Sequence, residues 1–213
     1  GIRDYKVTGV QTCALPIYFA VYDVMWLPGW PDTIYMELVI FDDSGTPLYT
    51  VAIPESLEVN CMHPTADGGT IAAGHHQGSG PPVLFKTDSI GNFELIKTID
   101  SLSYINVSDL IEAKPGGYIG AGGYTYADTV THECQMVFRM NGSGDTVWTK
   151  SYFTYGFWDS WKIYNSANNG FLVVGSGFNG QGYTPYIAQL DSSGNVIWSK
   201  GISTATIPKM TIG

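Results

Sequence analysis

The sequence is poor in charge, above all in basic residues. Charged residues make up 14% of its 213 positions, against about 25% in a typical domain. Lys and Arg number 10 against 19 Asp and Glu, which gives a formal net charge of −9. A chain without a basic stripe has little with which to neutralise phosphates, so we expect neither nucleic acid nor an anionic membrane surface as a partner. No apolar run approaches the ~18 residues of a membrane span, so we expect no transmembrane segment in this chain.

Motifs for catalysis or metal binding are also lacking. There is no Gly-x-Ser-x-Gly, no His-Glu-x-x-His and no phosphate-cradling loop. No Cys or carboxylate stands at ligand spacing from the adjacent His75 and His76, which we predict to be a solvated pair in a loop. The other two histidines are His63 and His132. The sequence therefore predicts no cofactor, no metal and no assigned catalytic residue.

Cysteine is scarce as well, with three in the chain. Cys61 and Cys134 stand at different points of the sequence pattern, and a buried free thiol is the default for each. Whether the two pair is left open by the sequence.

The first seventeen residues differ from the rest, because they have neither turn signals nor the apolar core of a signal peptide. Residues 7–17, VTGVQTCALPI, resemble the in-frame translation of a common sequencing-library adapter. We interpret residues 1–17 as non-native and expect native sequence from about Tyr18. The alternative is a genuine N-terminal strand.

Glycine and aromatic residues are abundant and follow an internal repeat. One landmark is an Asp-x-x-Gly type of turn, whose glycines are Gly45, Gly91, Gly144 and Gly194, about 50 residues apart. A second landmark, GGTIAAG, GGYIGAG or NGFLVVG, begins at residues 68, 116 and 169 and alternates with the first. A period that holds at two independent landmarks indicates a repeat architecture.

Each repeat reads as four short strands separated by Gly, Asn, Asp and Ser, and no segment has a capped helical period. Four strands per repeat of about 50 residues predict an all-β fold, a β-propeller of four-stranded antiparallel blades. We count about 3.5 to 4 blades and expect a fragment of a larger propeller. The predicted repeats are 34–82, 83–133, 134–185 and a partial one at 186–200. Residues 18–33 would be the remnant of a preceding blade, and 201–213 a truncated strand or tail.

The motifs Asp-x-x-Gly-Asn-x-x-Trp-x-Lys at 191–200 and Gly-Gly-Tyr-Ile-x-Ala-Gly at 116–122 resemble repeats of secreted bacterial β-propeller proteins of the Bacteroidota type. The resemblance covers roughly residues 34–200. It implies an extracellular or cell-surface position. Asp191, Ser193 and Asn195 also invite comparison with a calcium loop, but the Gly at position six and the Glu at position twelve are missing. The turn alone explains these residues.

Aromatic side chains supply the candidate ligand-binding residues. Segment 151–164 places Tyr155, Trp158 and Trp161 in one inter-strand connection, while Tyr124 and Tyr126 follow a Gly-rich strand of the previous repeat. Exposed rings at an end face of a propeller could stack on sugars or hold a peptide. The competing interpretation is that these rings fill the gap between blades.

These observations favour a non-enzymatic extracellular binding or scaffold module with a glycan or protein ligand. One alternative is a propeller enzyme, such as a quinoprotein-like dehydrogenase or a glycan-degrading enzyme. The Asp-x-x-Gly-x-x-x-Trp turn is one residue shorter than the quinoprotein docking pattern. Another alternative is a structural spacer of a surface adhesin.

Overall fold

The computed structural model describes residues 17–25, 33–41, 44–53, 57–76, 80–102, 105–127, 131–153, 161–178 and 183–201. These residues form fifteen β-strands in four antiparallel sheets, accompanied by two short 3-10 turns at Asp100–Leu102 and Ala167–Asn169. The predicted all-β fold of antiparallel blades is confirmed. Within this part of the chain, no helix has the length and apolar character that crossing a membrane requires.

The strands follow one another in chain order within each sheet, so every sheet is a simple meander. Sheet A contains β1 Ile17–Met25, β2 Thr33–Phe41 and β3 Pro47–Ala52. Sheet B contains β4 Leu57–Pro64, β5 Thr70–His76, β6 Pro82–Thr87 and β7 Phe93–Thr98. Sheet C contains β8 Ile105–Glu112, β9 Tyr118–Ala127, β10 Thr131–Met140 and β11 Thr146–Phe153. Sheet D contains β12 Lys162–Asn165, β13 Phe171–Phe178, β14 Tyr183–Leu190 and β15 Val196–Gly201.

The predicted Asp-x-x-Gly turns are present and are closed by their own side chains. Asp191 Oδ1 accepts the backbone N–H groups of Ser193 and Asn195 at 2.9 and 2.8 Å, and Gly194 has φ 77°. Asp88 and Asn141 make the same two bonds in sheets B and C. A side chain that satisfies its own turn and a glycine that adopts positive φ together define this hairpin.

These turns join the third and fourth strands of sheets B, C and D, and β2 to β3 in sheet A. Sheets B, C and D therefore span residues 57–98, 105–153 and 162–201. The predicted repeats, 34–82, 83–133 and 134–185, each begin about half a repeat earlier in the chain. β1 begins at Ile17, next to the predicted start of native sequence, and pairs with β2 across the predicted boundary at residues 33 and 34. Residues 1–16 and 202–213 lie outside the described residues.

Buried apolar residues form one cluster between each pair of consecutive sheets. Leu38 and Ile40 of sheet A pack with Phe85 of sheet B, while Leu84 of sheet B packs with Phe138 of sheet C. The third cluster joins Val137 and Ile119 of sheet C to Phe171 and other residues of sheet D. Because sheets B and C are covered on both faces, residues 70–74 and 118–122 of their second strands are buried on both sides, and such strands contribute to the low charge.

Contacts between sheets concentrate on their first strands. β8 packs against β4 and β5 of sheet B on one side, and β12 of sheet D packs against β8 and β9 on the other. Such crowding is expected next to the central axis of a propeller, so we call β4, β8 and β12 the inner strands.

Lys86 is one of two charged residues that lie in the apolar interior of the described part of the chain. It is 8% exposed, and its ammonium donates to Asp67 at 2.6 Å and to Glu94. Burial alone would lower the pKa of Lys86, but these two carboxylates outweigh burial and raise it above its ordinary value. The hydrogen bond from Lys86, followed by one from Thr65, lowers the pKa of Asp67 to about 2.

We predict that this ion pair makes stability depend on acid pH. A carboxyl whose pKa is lowered by folding contributes stability above its unfolded pKa, near 4, and loses it as pH falls toward 2. The Lys86→Met variant lacks this contribution, so the difference between its urea midpoint and that of the wild type should shrink as pH falls from 7 to 2.5. A difference that stays constant over that range would contradict the assignment.

Candidate functional site

A single buried carboxylate connects three sheets at the inner strands. Asp109 on β8 is 1% exposed, and its Oδ1 lies 2.6 Å from Nε2 of His63 on β4. The same oxygen accepts from Lys162 Nζ on β12 at 3.1 Å, and Oδ2 accepts from the Ile163 N–H at 2.9 Å. Among the described residues, every partner of this carboxylate therefore belongs to a neighbouring sheet.

Burial on its own would raise the pKa of Asp109, because it penalises the charged form. The hydrogen bonds from His63, Ile163 and Lys162 outweigh burial, and they hold the pKa of Asp109 below its ordinary value. The carboxylate is therefore ionised at neutral pH, with donors on both oxygens.

The backbone at Asp109 departs from regular pairing. The register of β8 against β9 shifts between Val107 and Asp109, and β4 shifts against β5 between Val59 and Cys61. Such irregularities change the direction in which the side chains of a strand point. Gly122 lies opposite Val107 beside the shift, and a Cβ there would lie 2.4 Å from the Asn106 carbonyl oxygen. The close approach at Gly122 thus occurs within one sheet, against the sheet's own first strand.

Cys61 is the counterpart of Asp109 in sheet B, since it pairs with Ala73 as Asp109 pairs with Ala121. It is a free, buried thiol. Burial, reinforced by the negative charge of Asp109, raises the pKa of Cys61 to about 12. A thiol that stays protonated at neutral pH is a poor nucleophile, so Cys61 is a packing residue.

The ends of the inner strands are also tied to the preceding sheet. Glu112 Oε2 accepts from the Ala66 N–H at 2.7 Å, and Asn165 Oδ1 accepts from the Lys114 N–H at 3.0 Å. Asn165 Nδ2 also donates to the Glu112 carbonyl at 2.8 Å. Glu112 and Asn165 occupy the same place in their repeats, so this is one contact used twice.

A pocket of about 600 Å³ lies where these strand ends meet. Its walls come from the ends of all three inner strands and from the turn after β8, which contains the cis peptide bond Lys114–Pro115. Polar or aromatic residues that line it are His63, Glu112, Lys114, Tyr164 and Asn165. Tyr164 is 51% exposed, and His63 connects the pocket to buried Asp109. The pocket therefore offers one aromatic ring, several hydrogen-bonding groups and both signs of charge.

The arrangement is suited to binding. Asp109 is fully used by donors, and among the described residues no three His, Cys, Asp or Glu side chains are grouped to hold a metal ion. The pocket presents to solvent the exposed ring of Tyr164, next to side chains that hydrogen bonds between sheets hold in place.

Of the predicted aromatic residues, Trp161 has a side chain that the structure describes. Trp161 is 2% exposed, and its ring lies against Gly175, where a Cβ would approach it to 2.6 Å. Its centroid is 6.0 Å from that of Tyr186, and its buried indole nitrogen has no hydrogen-bond partner in the described part of the chain. For Trp161 this position favours the packing interpretation.

The other predicted binding residues are only partly placed. Tyr124 and Tyr126 belong to β9, opposite Cys134 and His132 of β10, and their side chains are outside the description. Tyr155 and Trp158 lie outside the described residues altogether. Since an antiparallel meander alternates its connections, the end of β9 and the start of β12 are at the opposite end of the sheets from the pocket. Ligand binding by these tyrosines and Trp158 stays a prediction.

The expectation of a loop pair at His75 and His76 was wrong, because both residues complete strand β5. His75 Nε2 lies 3.1 Å from Glu58 Oε2, and its Nδ1 lies 3.0 Å from Asn60 Oδ1. His75 still pairs with both β4 and β6, so strand β5 extends further than the Gly-rich residues that follow it suggest.

Sequence reasoning missed Asp109, Lys162, Glu112 and Asn165. A signal was present: Cys61, Asp109 and Lys162 each stand eight residues before a glycine of the second landmark, namely Gly69, Gly117 and Gly170. Glu112 and Asn165 each stand five residues before Gly117 and Gly170 respectively. Extending the repeat alignment into the first strand would have shown polar residues at positions that face a neighbouring blade.

The described sheets define the class as β-propeller. No family model matches the chain, and no curated protein matches it. Among solved structures, a Bacteroides caccae protein of unknown function is 13% identical, with a TM-score of 0.34, covering 79% of this chain and 77% of its own. BBS1N, solved in complex with ARL6DN, is 9% identical, with a TM-score of 0.38, covering 79% of this chain and 64% of its own.

Proposed function

We propose that this protein is a non-enzymatic binding module whose ligand is a glycan, held in the pocket at the ends of β4, β8 and β12. The observation that carries the proposal is the exposed ring of Tyr164 in a pocket of about 600 Å³ whose polar side chains are fixed from neighbouring sheets. That volume lies within the range of small-ligand sites.

The chemistry of the pocket suits a sugar. An aromatic face provides apolar contact for one side of a pyranose ring, and hydroxyl groups need both donors and acceptors around its edge. Glu112 supplies an acceptor and Lys114 a donor, while an imidazole nitrogen such as that of His63 can donate or accept. Glu112 and Asn165 are already oriented by their bonds to Ala66 and Lys114, so binding costs little side-chain entropy.

Two features support binding over catalysis. The thiol of Cys61 has a pKa of about 12, and Asp109 is ionised with donors on both oxygens. Neither is prepared to transfer a proton or attack a substrate at neutral pH. An extracellular or cell-surface position belongs to the same proposal and is supported by the resemblance to secreted bacterial repeats.

The pocket is tested by glycan-array screening followed by calorimetry on a positive glycan. We expect Tyr164→Ala to weaken binding about thirtyfold, equivalent to ~2 kcal/mol for a central aromatic contact. Val147→Ala is the control, because Val147 is also an exposed apolar residue but belongs to β11, at the edge of sheet C opposite β8. Its affinity should equal that of the wild type.

Three outcomes would contradict the proposal. Absence of glycan binding by the intact chain would favour the spacer interpretation. Binding that Trp158→Ala abolishes and Tyr164→Ala leaves intact would place the ligand at the aromatic connection. Capture of a peptide in place of a glycan at the same pocket would overturn the ligand class.

A further inference from the structure

The turn between β10 and β11 in sheet C contains the dipeptide Asn141–Gly142. Both residues are exposed, and a Cβ on Gly142 would meet nothing within 4 Å. No hydrogen bond in the described part of the chain uses the Gly142 N–H. The Gly142 nitrogen can therefore approach the side-chain amide of Asn141, because glycine has no side chain that hinders the approach.

The Asn141 side chain is held over this peptide bond. Its Oδ1 accepts the N–H groups of Ser143 and Asp145 at 3.0 and 2.8 Å. Both donors follow Asn141 in the chain, so the amide carbon is turned towards the backbone of Gly142, which lies between. Two N–H groups that bind one carbonyl oxygen also stabilise the negative charge that forms on it when a nucleophile adds to the carbon.

A carboxylate lies beside the nitrogen that would leave. Asn141 Nδ2 donates to Asp145 Oδ2 at 3.1 Å. The hydrogen bond from Lys97, followed by that from Asn141, lowers the pKa of Asp145, so this carboxylate is ionised at neutral pH. A base at hydrogen-bond distance from the leaving nitrogen can relay a proton to it. The turn thus supplies a nucleophile, two donors for the oxyanion and a base.

We propose that Asn141 is a self-modification site, at which the Gly142 nitrogen displaces the side-chain amide nitrogen as ammonia. The bond from the Gly142 nitrogen to the Asn141 amide carbon forms, the bond from that carbon to Nδ2 breaks, and the proton lost by Gly142 leaves with the ammonia. The product is a five-membered succinimide. Water then opens either of its carbonyl groups, which gives aspartate or isoaspartate at position 141. Water is the only co-reactant, and the reaction is independent of the glycan pocket.

A second dipeptide of the same composition provides a comparison within the chain. Asn169–Gly170 lies at the end of the 3-10 turn before β13. The Gly170 N–H donates to the Ala167 carbonyl at 3.1 Å, and a Cβ on buried Gly170 would lie 2.4 Å from the Leu190 carbonyl oxygen. This nitrogen is bonded and crowded, so Asn169 should keep its amide. A third pair, Asn179–Gly180, lies outside the described residues.

The modification changes the charge of the turn. Sheet B places the acid first and the amide fifth, as Asp88 and Asn92, and sheet D does the same. Sheet C has the reverse order, so an aspartate at position 141 would face the carboxylate of Asp145. Two carboxylates at that distance repel each other, and isoaspartate also lengthens the backbone of the turn. Calorimetry on the more acidic fraction, separated by ion exchange, should therefore give a lower thermal midpoint than the unmodified chain.

Peptide mapping by mass spectrometry tests the proposal on the full chain, incubated at neutral and at mildly alkaline pH. We expect Asn141 to exchange NH for O at least about tenfold faster than Asn169, with aspartate and isoaspartate as two separable products. The rate should rise with pH, because the attacking nitrogen must lose its proton. Gly142→Ala should slow the reaction several-fold with an unchanged circular dichroism spectrum, since its Cβ hinders the attack without meeting a neighbour.

The same measurement in urea separates the effect of the fold from that of the dipeptide. Unfolding should accelerate the reaction at Asn169, whose nitrogen is released, and should not accelerate it at Asn141. An Asn141 that reacts only after unfolding, or as slowly as Asn169 in the folded chain, would overturn the proposal. So would a Gly142→Ala variant that reacts at the wild-type rate.

Discussion

Replacing Asp109 by Asn is expected to lower the free energy of unfolding by about 3 kcal/mol, because a buried charge network loses the group that all its members share. The amide keeps one acceptor oxygen, but its NH2 group faces either the Ile163 N–H or the donors His63 and Lys162. For a chain of this size the thermal midpoint should fall by roughly 6–12 °C.

The control is Glu37→Gln on β2, an exposed carboxylate, which should change stability by less than about 0.5 kcal/mol. An Asp109→Asn midpoint within 2 °C of the wild type, measured by calorimetry, would refute the role assigned to the carboxylate. The same variant should lose part of the acid sensitivity of the wild type. Since folding lowers the pKa of Asp109, its contribution is present above about pH 4 and disappears as pH falls below that.

Gly122→Ala is expected to cost about 3 kcal/mol, the upper range for overpacking, because the added Cβ would stand 2.4 Å from the Asn106 carbonyl oxygen. That oxygen belongs to the backbone of β8, which carries Asp109 three residues later, so it has little freedom to retreat. Urea denaturation gives the free-energy difference directly.

The neighbouring residue provides a matched control. A Cβ on Gly123 would meet nothing within 4 Å, so Gly123→Ala should be neutral or slightly stabilising through the unfolded chain. Equal effects of the two substitutions would show that the first strand does not approach β9 as closely as the structure places it.

The local parts of the fold were predictable from the sequence. Asp88, Asn141 and Asp191 bond to their own turns, and each turn glycine has positive φ, because these interactions span only four residues. The strand content and the burial of both faces followed equally from residues such as Val173 and Ala188, whose neighbours in sequence are also apolar.

The grouping of strands into sheets was less accessible. In a repeat of antiparallel strands every connection resembles a hairpin, and the sequence around 154–160 does not state that the chain passes there to another sheet. The hydrogen bonds around Asp109 could not be predicted from the sequence for a related reason. His63 and Lys162 lie 46 and 53 residues from Asp109 in sequence, about one repeat in each direction, and ordinary motif spacing does not connect them.

Burial also separates residues that look alike in sequence. Trp148, Trp161 and Trp198 all follow turn or loop signals, yet Trp161 is 2% exposed and Trp198 is 42% exposed. The exposed fraction of each ring depends on which sheet packs against it, and the order of the blades decides which sheet that is. Tyr164 was not singled out because it stands in a strand, where an aromatic residue is ordinarily part of the core.

An NMR pH titration tests most directly the contacts of Asp109, which join the inner strands and adjoin the pocket. The carboxyl carbon of Asp109 should titrate below the ordinary Asp pKa of about 3.9, and the amide proton of Ile163, 54 residues away in the next sheet, should shift with the same midpoint. A carboxyl that titrates at or above its ordinary value, with no response at Ile163, would contradict the account.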